Sequence, residues 1–168
     1  MGRLLRKAGL FLFRNIWYLH LAKYFIMKTV QQIIASKSAE IYAVSSTTSV
    51  FDALTMMMDK NISALLIMDN EQLTGIFTER DYARKVILQG KSSKSALIDE
   101  VMTPTPVTIT AADSIDHCMA LMTNKHIRHL PVLAGNKVIA MVSIGDIVKF
   151  IIEDQKQIIS QLESYIHQ

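Results

Sequence analysis

A repeat of fixed period constrains the fold of this chain more than any other feature. When the sequence is shifted by 65 residues, Val44–Lys85 aligns with Ile109–Phe150 without a gap. Six of the 42 aligned pairs are identical, and apolar residues match apolar residues along the whole alignment. A duplicated unit usually buries its apolar face against its twin, because neither copy covers that face alone. The repeat therefore predicts a pseudo-twofold module with related binding clefts between its halves.

Each copy has the residue pattern of a β-α-β-β-α unit. In the first copy, Ser49 suits the start of a helix and Asn61 its end, and Ala64–Met68 and Leu73–Phe77 have the length and composition of buried strands. The second copy repeats this order, with Ser114 at the start of its helix. These patterns predict an α+β (α/β) fold in which two pseudo-symmetric repeats face each other.

Changes in composition divide the chain into five predicted segments. A polar stretch follows the first repeat, Ala96–Met102 is predicted to form a short helix, and Pro104 and Pro106 interrupt the chain before the strand predicted over Val107–Ile109. The segments are a basic and apolar extension (1–27), the first repeat (28–90), a linker (91–105), the second repeat (106–152) and a C-terminal helix (153–168). An apolar stripe on that long last helix favours dimerisation.

The net charge of +3 hides an uneven distribution of charge. Residues 1–39 contain seven Lys or Arg and no acid, whereas residues 40–168 contain eleven Lys or Arg and fifteen acids, a net charge of −4. A mildly acidic body argues against nucleic-acid binding through a phosphate-tracking surface. We expect a cytoplasmic protein, since no secretion signal stands out.

The first 26 residues have two interpretations. They are basic and apolar, which fits a helix lying on a membrane surface. Their longest uncharged run, Asn15–Ala22, is too short to span a bilayer. The other interpretation is that translation begins at Met27, so that this segment is not part of the mature protein.

The sequence nominates no catalytic residue and no metal site. Cys118 is the single cysteine and falls on an apolar helical face, which favours a buried structural thiol. The histidines are scattered, and no glycine-rich phosphate loop or nucleophile elbow is present in the sequence. These features favour a chain whose chemistry is recognition.

The most informative short pattern closes the second strand of each repeat. A hydroxyl and a carboxylate stand three residues apart there, as Thr78 and Asp81 in the first repeat and as Ser143 and Asp146 in the second. One such pair is best explained as a reciprocal helix cap. Two pairs in register favour a binding role as well, because aspartate accepts hydrogen bonds from a ribose diol and a helix start can hold a phosphate oxygen.

With these pairs, the chain resembles a tandem cystathionine β-synthase-type (CBS) domain pair over about residues 30–152. The resemblance rests on both strand-end segments, on Asn61–Ile67 and His126–Val132, and on Val101–Thr103. It implies clefts for adenosine-containing ligands such as AMP, ADP, ATP, NAD or S-adenosylmethionine. It also implies self-association into flat dimers.

The resemblance implies a role for residues at matching positions. Asp81 and Asp146 correspond to ribose ligands, and Thr78 and Ser143 to ribose or phosphate contacts. Backbone around Ser45 and Thr110 is implied to frame the adenine. The implied apolar walls are Ile62, Ala64, Ile76, Ile127, Pro131 and Met141. The implied phosphate-facing and mouth cations are Arg128, His129, Arg80, Arg84 and Lys85.

Two departures from the family pattern predict unequal clefts. Ala140 stands where a glycine is usual, and Ser63-Ala64 occupies the position of the Arg128-His129 pair. We expect the cleft of Ser143 and Asp146 to hold a phosphate more firmly.

Our leading hypothesis is a non-enzymatic regulatory module that binds AMP, ATP or NAD(H) and needs no catalytic cofactor. It forms a homodimer and reports energy charge or redox state to a separate regulated protein. Two alternatives remain: a dimeric scaffold without a ligand, and a membrane-associated adaptor anchored through residues 1–26.

Overall fold

The structure is a computed structural model, and it describes residues 28–37 and 40–166. It contains five helices and two sheets in a mixed α/β arrangement, which confirms the predicted fold class. The extension predicted over residues 1–27 lies outside the described residues. In the described part of the chain, no helix is both long enough and apolar enough to cross a bilayer.

Helix α1 (Val30–Ser36) precedes the first repeat, which builds a four-stranded sheet. The strands, in their order across this sheet, are β1 (Ala43–Val44), β2 (Ala64–Asp69), β3 (Gln72–Thr78) and β4 (Thr103–Pro104). β1 and β2 are parallel, and the other neighbours are antiparallel. Helix α2 (Val50–Lys60) connects β1 to β2. Helix α3 (Glu79–Asp81) follows β3 and continues through a π-helical turn and a 3₁₀ turn to Gln89.

The second repeat has the same order of elements. They are β5 (Ile109–Thr110), α4 (Ile115–Lys125), β6 (His129–Ala134), β7 (Lys137–Ser143) and α5 (Ile144–Ile166). β5 pairs with β6 in parallel, and β6 pairs with β7 antiparallel. β3 of the first repeat contacts β7 of the second, so the two units face each other as predicted.

Matching side chains start and end the equivalent helices of the two repeats. The Ser49 hydroxyl accepts a hydrogen bond from the N–H of Asp52, and Ser114 does the same for His117, both at 3.1 Å. Helices α2 and α4 then end at residues in the left-handed region, Asn61 (φ 51°) and His126 (φ 54°). The predicted helix starts are confirmed, because each serine satisfies an N–H that has no partner within its helix.

Two segments cross from one repeat to the core of the other. Helix α1 precedes the first repeat in sequence, but its Val30 and Ile33 are buried in the second core. The Val30 N–H donates to the carbonyl of Asp113 at 2.9 Å. The chain between the repeats buries Ile98 and Val101 in the first core and adds β4 to the first sheet. Each core is therefore completed by chain from outside its own β-α-β-β-α unit.

The segment around β4 differs from the sequence-based prediction. The stretch predicted as a helix over Ala96–Met102 forms a single 3₁₀ turn, Ile98–Glu100. The strand predicted over Val107–Ile109 is instead Ile109–Thr110, because only these residues reach partners on β6. The interrupting Pro104 is itself in β4, at the edge of the sheet, where a missing N–H costs no ladder hydrogen bond.

The glycine in β3 is required by this added strand. A Cβ atom on Gly75 would lie 2.5 Å from Met102 Sδ and 3.2 Å from the Thr103 carbonyl oxygen. The equivalent residue in β7 is Ala140, which is buried in the second core. Among the described strands, β7 pairs with β6 alone, so a methyl group meets no added strand there.

We predict that Gly75→Ala destabilises the chain by about 1–2 kcal/mol, because Met102 and β4 must move away from β3. Urea unfolding of the full chain measures this change. Gly145→Ala is the matched control, since a Cβ there lies 3.6 Å from Ser143 Oγ, an ordinary contact. A loss no larger for Gly75→Ala than for the control contradicts the close approach of β4.

Candidate ligand-binding clefts

Two cavities lie between the repeats, with volumes of about 460 Å³ and about 510 Å³. Each cavity is lined by the hydroxyl–carboxylate pair of one repeat and by the residues that precede the first two strands of the other repeat. We call them the Asp146 cavity and the Asp81 cavity after their carboxylates. Their volumes lie in the usual range for pockets that hold small molecules.

The Asp146 cavity joins the end of β7 and the start of α5 to the chain before β1 and β2. Seven of its residues were predicted from the sequence: Ile62, Ala64, Arg128, His129, Met141, Ser143 and Asp146. Seven others were not predicted as site residues: Lys37, Glu40, Tyr42, Asn61, Ser63, Ile144 and Gly145.

Asp146 uses one carboxylate oxygen for local structure. Its Oδ2 accepts from the N–H and the hydroxyl of Ser143, both at 2.7 Å, and from Lys37 Nζ at 3.0 Å. Among the described residues, none donates a hydrogen bond to Oδ1. Burial alone would raise the pKa of this carboxyl, but the hydrogen bonds from Ser143 and Lys37 outweigh it and lower the pKa. Asp146 is thus an ionised acceptor with one oxygen facing a cleft.

The Asp81 cavity joins the end of β3 and the start of α3 to the chain before β5 and β6. Its lining includes nine residues whose roles were implied by the resemblance: Ile76, Thr78, Arg80, Asp81, Arg84, Lys85, Ile127, Arg128 and His129. The remaining lining residues are Ser63, Thr103, Thr105, Pro106, Val107, Lys125 and His126.

Asp81 has both carboxylate oxygens occupied. Oδ2 accepts from the N–H and hydroxyl of Thr78, at 3.1 Å and 2.6 Å. Oδ1 accepts from Thr103 Oγ1 at 3.0 Å and forms an ion pair with Lys85 Nζ at 2.8 Å. The Asp81 side chain is accordingly less exposed than that of Asp146, at 12% against 27%. The two clefts therefore contain the same cap but present different carboxylates.

Ser63, Arg128 and His129 line both cavities and form the wall between them. Ser63 Oγ and His129 Nε2 lie 3.2 Å apart and link the repeats. Burial, followed by the charge of Arg128, lowers the pKa of the His129 imidazole from its usual 6.5. The opposite effect of Asp146 is smaller. His129 is therefore neutral at pH 7 and acts in this wall as a hydrogen-bonding group.

Three residues proposed from the resemblance line neither cavity. Ser45 and Thr110 lie towards the carboxyl ends of β1 and β5, whereas the cavities open at the amino ends of those strands. The N–H and hydroxyl of Thr110 donate to Asp113 in a local turn. Pro131 is buried inside β6 opposite Met141. The residues that frame the clefts come just before the first strands instead, as Tyr42 and Val107 do.

Charge is divided unequally between the cavities. The Asp81 cavity has five cationic side chains against one carboxylate, and these cations are Arg80, Arg84, Lys85, Lys125 and Arg128. In the Asp146 cavity, Lys37 and Arg128 are balanced by Glu40 and Asp146. The sequence-based expectation gave the Asp146 cleft the firmer phosphate contacts, and the distribution of cations favours the other cleft. The methyl group of Ala140, expected to crowd a ligand, lies in the core rather than in a cavity lining.

Neither an accessible cysteine nor a cluster of metal ligands is present in the described part of the chain. Cys118 is fully buried, and burial raises the pKa of its thiol to about 11. Within residues 28–37 and 40–166, no three His, Cys, Asp or Glu side chains are placed to hold a metal ion.

Comparisons with known proteins agree with this geometry. The family model described as "CBS domain" matches residues 30–87 and 98–153. A protein with CBS domains from Burkholderia ambifaria has a solved structure that matches with a TM-score of 0.74 and 48% identity, over 76% of this chain and 96% of that one. The CBS domain pair of protein MJ0100, solved with 5′-methylthioadenosine and S-adenosyl-L-methionine, matches with a TM-score of 0.68 and 27% identity, over 76% of this chain and 98% of that one.

Two curated relatives are longer proteins than this chain. The mitochondrial CBS domain-containing protein CBSX3 of Arabidopsis thaliana is 39% identical over 123 residues, which cover 70% of this chain and 60% of that protein. The Arabidopsis protein CBSCBSPB2 is 33% identical, and the match spans 22% of its length. This chain thus covers less than two thirds of these relatives.

We predict that His129 titrates below pH 6.5 in the folded chain. The unfolded chain then binds more protons than the folded chain between these two pKa values, so the free energy of unfolding decreases as pH falls through 6.5. Imidazole resonances in NMR spectra of the full chain measure the midpoint, with His129→Gln for assignment.

Unfolding of the same two proteins by urea at pH 7.5 and pH 5.5 provides the control. His129→Gln keeps a polar group for Ser63 but cannot titrate, so its stability should fall less than that of the wild type. A midpoint at or above 6.5 contradicts the buried position of His129.

Proposed function

Since this chain belongs to the CBS domain family, with two CBS domains, we propose that it is a non-enzymatic regulatory module that binds an adenosine nucleotide. The candidate ligands are AMP, ATP and NAD(H), and the clefts between the repeats are the proposed binding sites. The observation that carries this proposal is the repeated cap, which places an aspartate in the lining of each cleft at the start of a helix.

The chemistry of these caps suits a nucleoside. An ionised carboxylate accepts two hydrogen bonds from the vicinal hydroxyls of a ribose, and such charge-assisted bonds are about twice as strong as neutral ones. Apolar side chains lie nearby for the base, including Ile62 and Met141 in one cavity and Ile76 and Ile127 in the other. Arg128, shared by both cavities, is a candidate phosphate contact.

A solved relative supports the class of ligand. The CBS domain pair of MJ0100 was solved with two adenosine compounds, 5′-methylthioadenosine and S-adenosyl-L-methionine. It is 27% identical to this chain and matches over 76% of it. We carry over only the adenosine group, because the residues that would contact the rest of a ligand are specific to this chain.

Ligand binding in these clefts acts on the arrangement of the repeats. Each cavity is built from both repeats, so a ligand contacts both at once. A ligand shifts a conformational equilibrium by the difference in its affinity for the two states. We infer that a separate protein reads this shift in the arrangement of the repeats.

We also propose that the chain forms a homodimer through α5. Six positions spaced alternately by four and three residues form one stripe: Val148, Ile152, Gln155, Ile159, Leu162 and Ile166. The five apolar members are all exposed, and Ile159, Leu162 and Ile166 are 54%, 50% and 79% exposed. This spacing is the heptad pattern by which helices pair, and a second copy offers the same stripe. The single polar member, Gln155, suits self-pairing because polar seam residues fix the register.

We predict that the full chain binds at least one of AMP, ATP, NAD, NADH or S-adenosylmethionine with micromolar affinity in calorimetric titrations. Removing the charge of one acceptor, in Asp146→Asn or Asp81→Asn, should weaken binding in that cavity about 10- to 100-fold. The double variant should not bind at all.

Circular dichroism and urea unfolding of the same variants establish that they fold. If folded wild-type chain binds none of these compounds, the sensor proposal fails. The scaffold without a ligand then becomes the better explanation.

We predict that Leu162→Lys raises the dimer dissociation constant at least about tenfold, because it places charge in an apolar seam. Sedimentation equilibrium measures this constant. Ser160→Lys is the matched control, since Ser160 is exposed on the same helix but lies outside the stripe. Equal dissociation constants for the two variants, or a monomeric wild type at 100 μM (about the highest convenient concentration), contradict pairing through α5.

A further inference from the structure

We infer that the two clefts accept different ligands: the Asp81 cavity takes an adenosine compound that carries a polyphosphate, and the Asp146 cavity takes one without phosphate. This inference rests on the proposed function, since it assigns ligands to the same two sites. The observations that support it are differences in charge and hydrogen bonding between residues at equivalent positions of the two repeats.

Aligning the two repeats shows where the linings of the two cavities differ in charge. Arg80, which lines only the Asp81 cavity, corresponds to Gly145, which lines only the Asp146 cavity. Thr105, which lines the Asp81 cavity, corresponds to the acidic Glu40. Each of these differences makes the Asp81 cavity more positive than its twin.

Cations that the two repeats share are also used differently. Lys125 and Arg84 line the Asp81 cavity, whereas their equivalents, Lys60 and Lys149, do not line the Asp146 cavity. Lys60 lies over the ring of Tyr42, 5.6 Å from its centre. Lys149 lies 3.9 Å from Glu153 on α5. A ligand in the Asp146 cavity therefore meets neither of these charges.

The hydrogen bonds of the aspartates lead to the same division. Lys85 is paired with Asp81 Oδ1, the oxygen that a ribose would use. An uncharged nucleoside must break this ion pair and offers the lysine no new anion. A phosphate offers Lys85 a new partner and thereby releases Oδ1 for the ribose.

The Asp146 cavity requires no such exchange. Lys37 pairs with Oδ2 of Asp146, so Oδ1 can accept from a ribose while the ion pair stays intact. Lys37 Nζ also donates to the carbonyl of Met141 at 2.8 Å, as Lys85 Nζ does to that of Met102 at 2.9 Å, so the two lysines differ in which oxygen of the aspartate they occupy. With Glu40 in the same lining, this cavity has no excess positive charge to attract a polyphosphate.

The first test uses the unmodified full chain with two probes, ATP and adenosine. Equilibrium dialysis with labelled adenosine, without and with saturating ATP, counts the adenosine that remains bound. We expect about one equivalent of adenosine to stay bound beside one equivalent of ATP. Displacement of all adenosine by ATP overturns the division of ligands but leaves the proposed function standing. Absence of binding by both probes overturns the inference, and the titrations with AMP, NAD, NADH and S-adenosylmethionine then decide the proposed function separately.

The second test exchanges charge between equivalent positions. Arg84→Ala should weaken ATP binding about tenfold and leave adenosine binding unchanged, because a single charge near a phosphate contributes on this order. Lys149→Ala is the matched control, since it removes the equivalent charge outside the cavities.

In an Asp81→Asn background, Gly145→Arg should confer tighter ATP binding on the Asp146 cavity, with Gly145→Ala as control. If each variant binds ATP with the same affinity as its control in both comparisons, the inference is overturned.

Discussion

The reciprocal cap between a hydroxyl and an aspartate is the interaction on which both the fold and the candidate sites depend. In each repeat it ends the last strand, starts the following helix and fixes one carboxylate oxygen, since the hydroxyl and N–H of Thr78 or Ser143 both donate to Oδ2. The other oxygen is left to the surroundings, and these differ. Thr103 and Lys85 occupy it in Asp81, whereas no described residue donates to it in Asp146. One structural device thus produces two chemically distinct acceptors.

The segments that cross between the repeats explain in part why the duplicated units form unequal clefts. Because β4 pairs with β3, Thr103 is held beside Asp81, and Gly75 must leave room for Met102. Because α1 is buried in the second core, the chain that follows it brings Lys37 to Asp146. Among the described residues, no contact equivalent to either of these is found in the other repeat. The clefts therefore differ both in the connecting segments and in the side chains at equivalent positions.

Local sequence patterns predicted the features that local chemistry determines. The helix starts at Ser49 and Ser114, the two caps and the order of elements follow from short stretches of chain, and the 65-residue period fixes their relation. The burial of α1 in the second core depends on contacts between segments more than 70 residues apart in sequence. The pairing of β4 with β3 joins residues about 30 positions apart. No local sequence pattern contains either contact. The same limit explains why Lys37 was missed. It also explains why Ser45 and Thr110, which the resemblance implies to frame the adenine, lie at the ends of β1 and β5 that face away from the two cavities.

The wall between the cavities makes their ligand equilibria interdependent. Arg128 borders both, so a phosphate that engages it in one cavity reduces the positive potential in the other. Ser63 and His129 join the repeats through this wall, and burial keeps the imidazole neutral, so Arg128 is the charge that the wall presents to the clefts near pH 7. Any coupling between two ligands is reciprocal, because each must change the affinity for the other by the same factor. With unequal ligands in the two clefts, such a wall converts two concentrations into one conformational equilibrium, which is the property that a regulatory module requires.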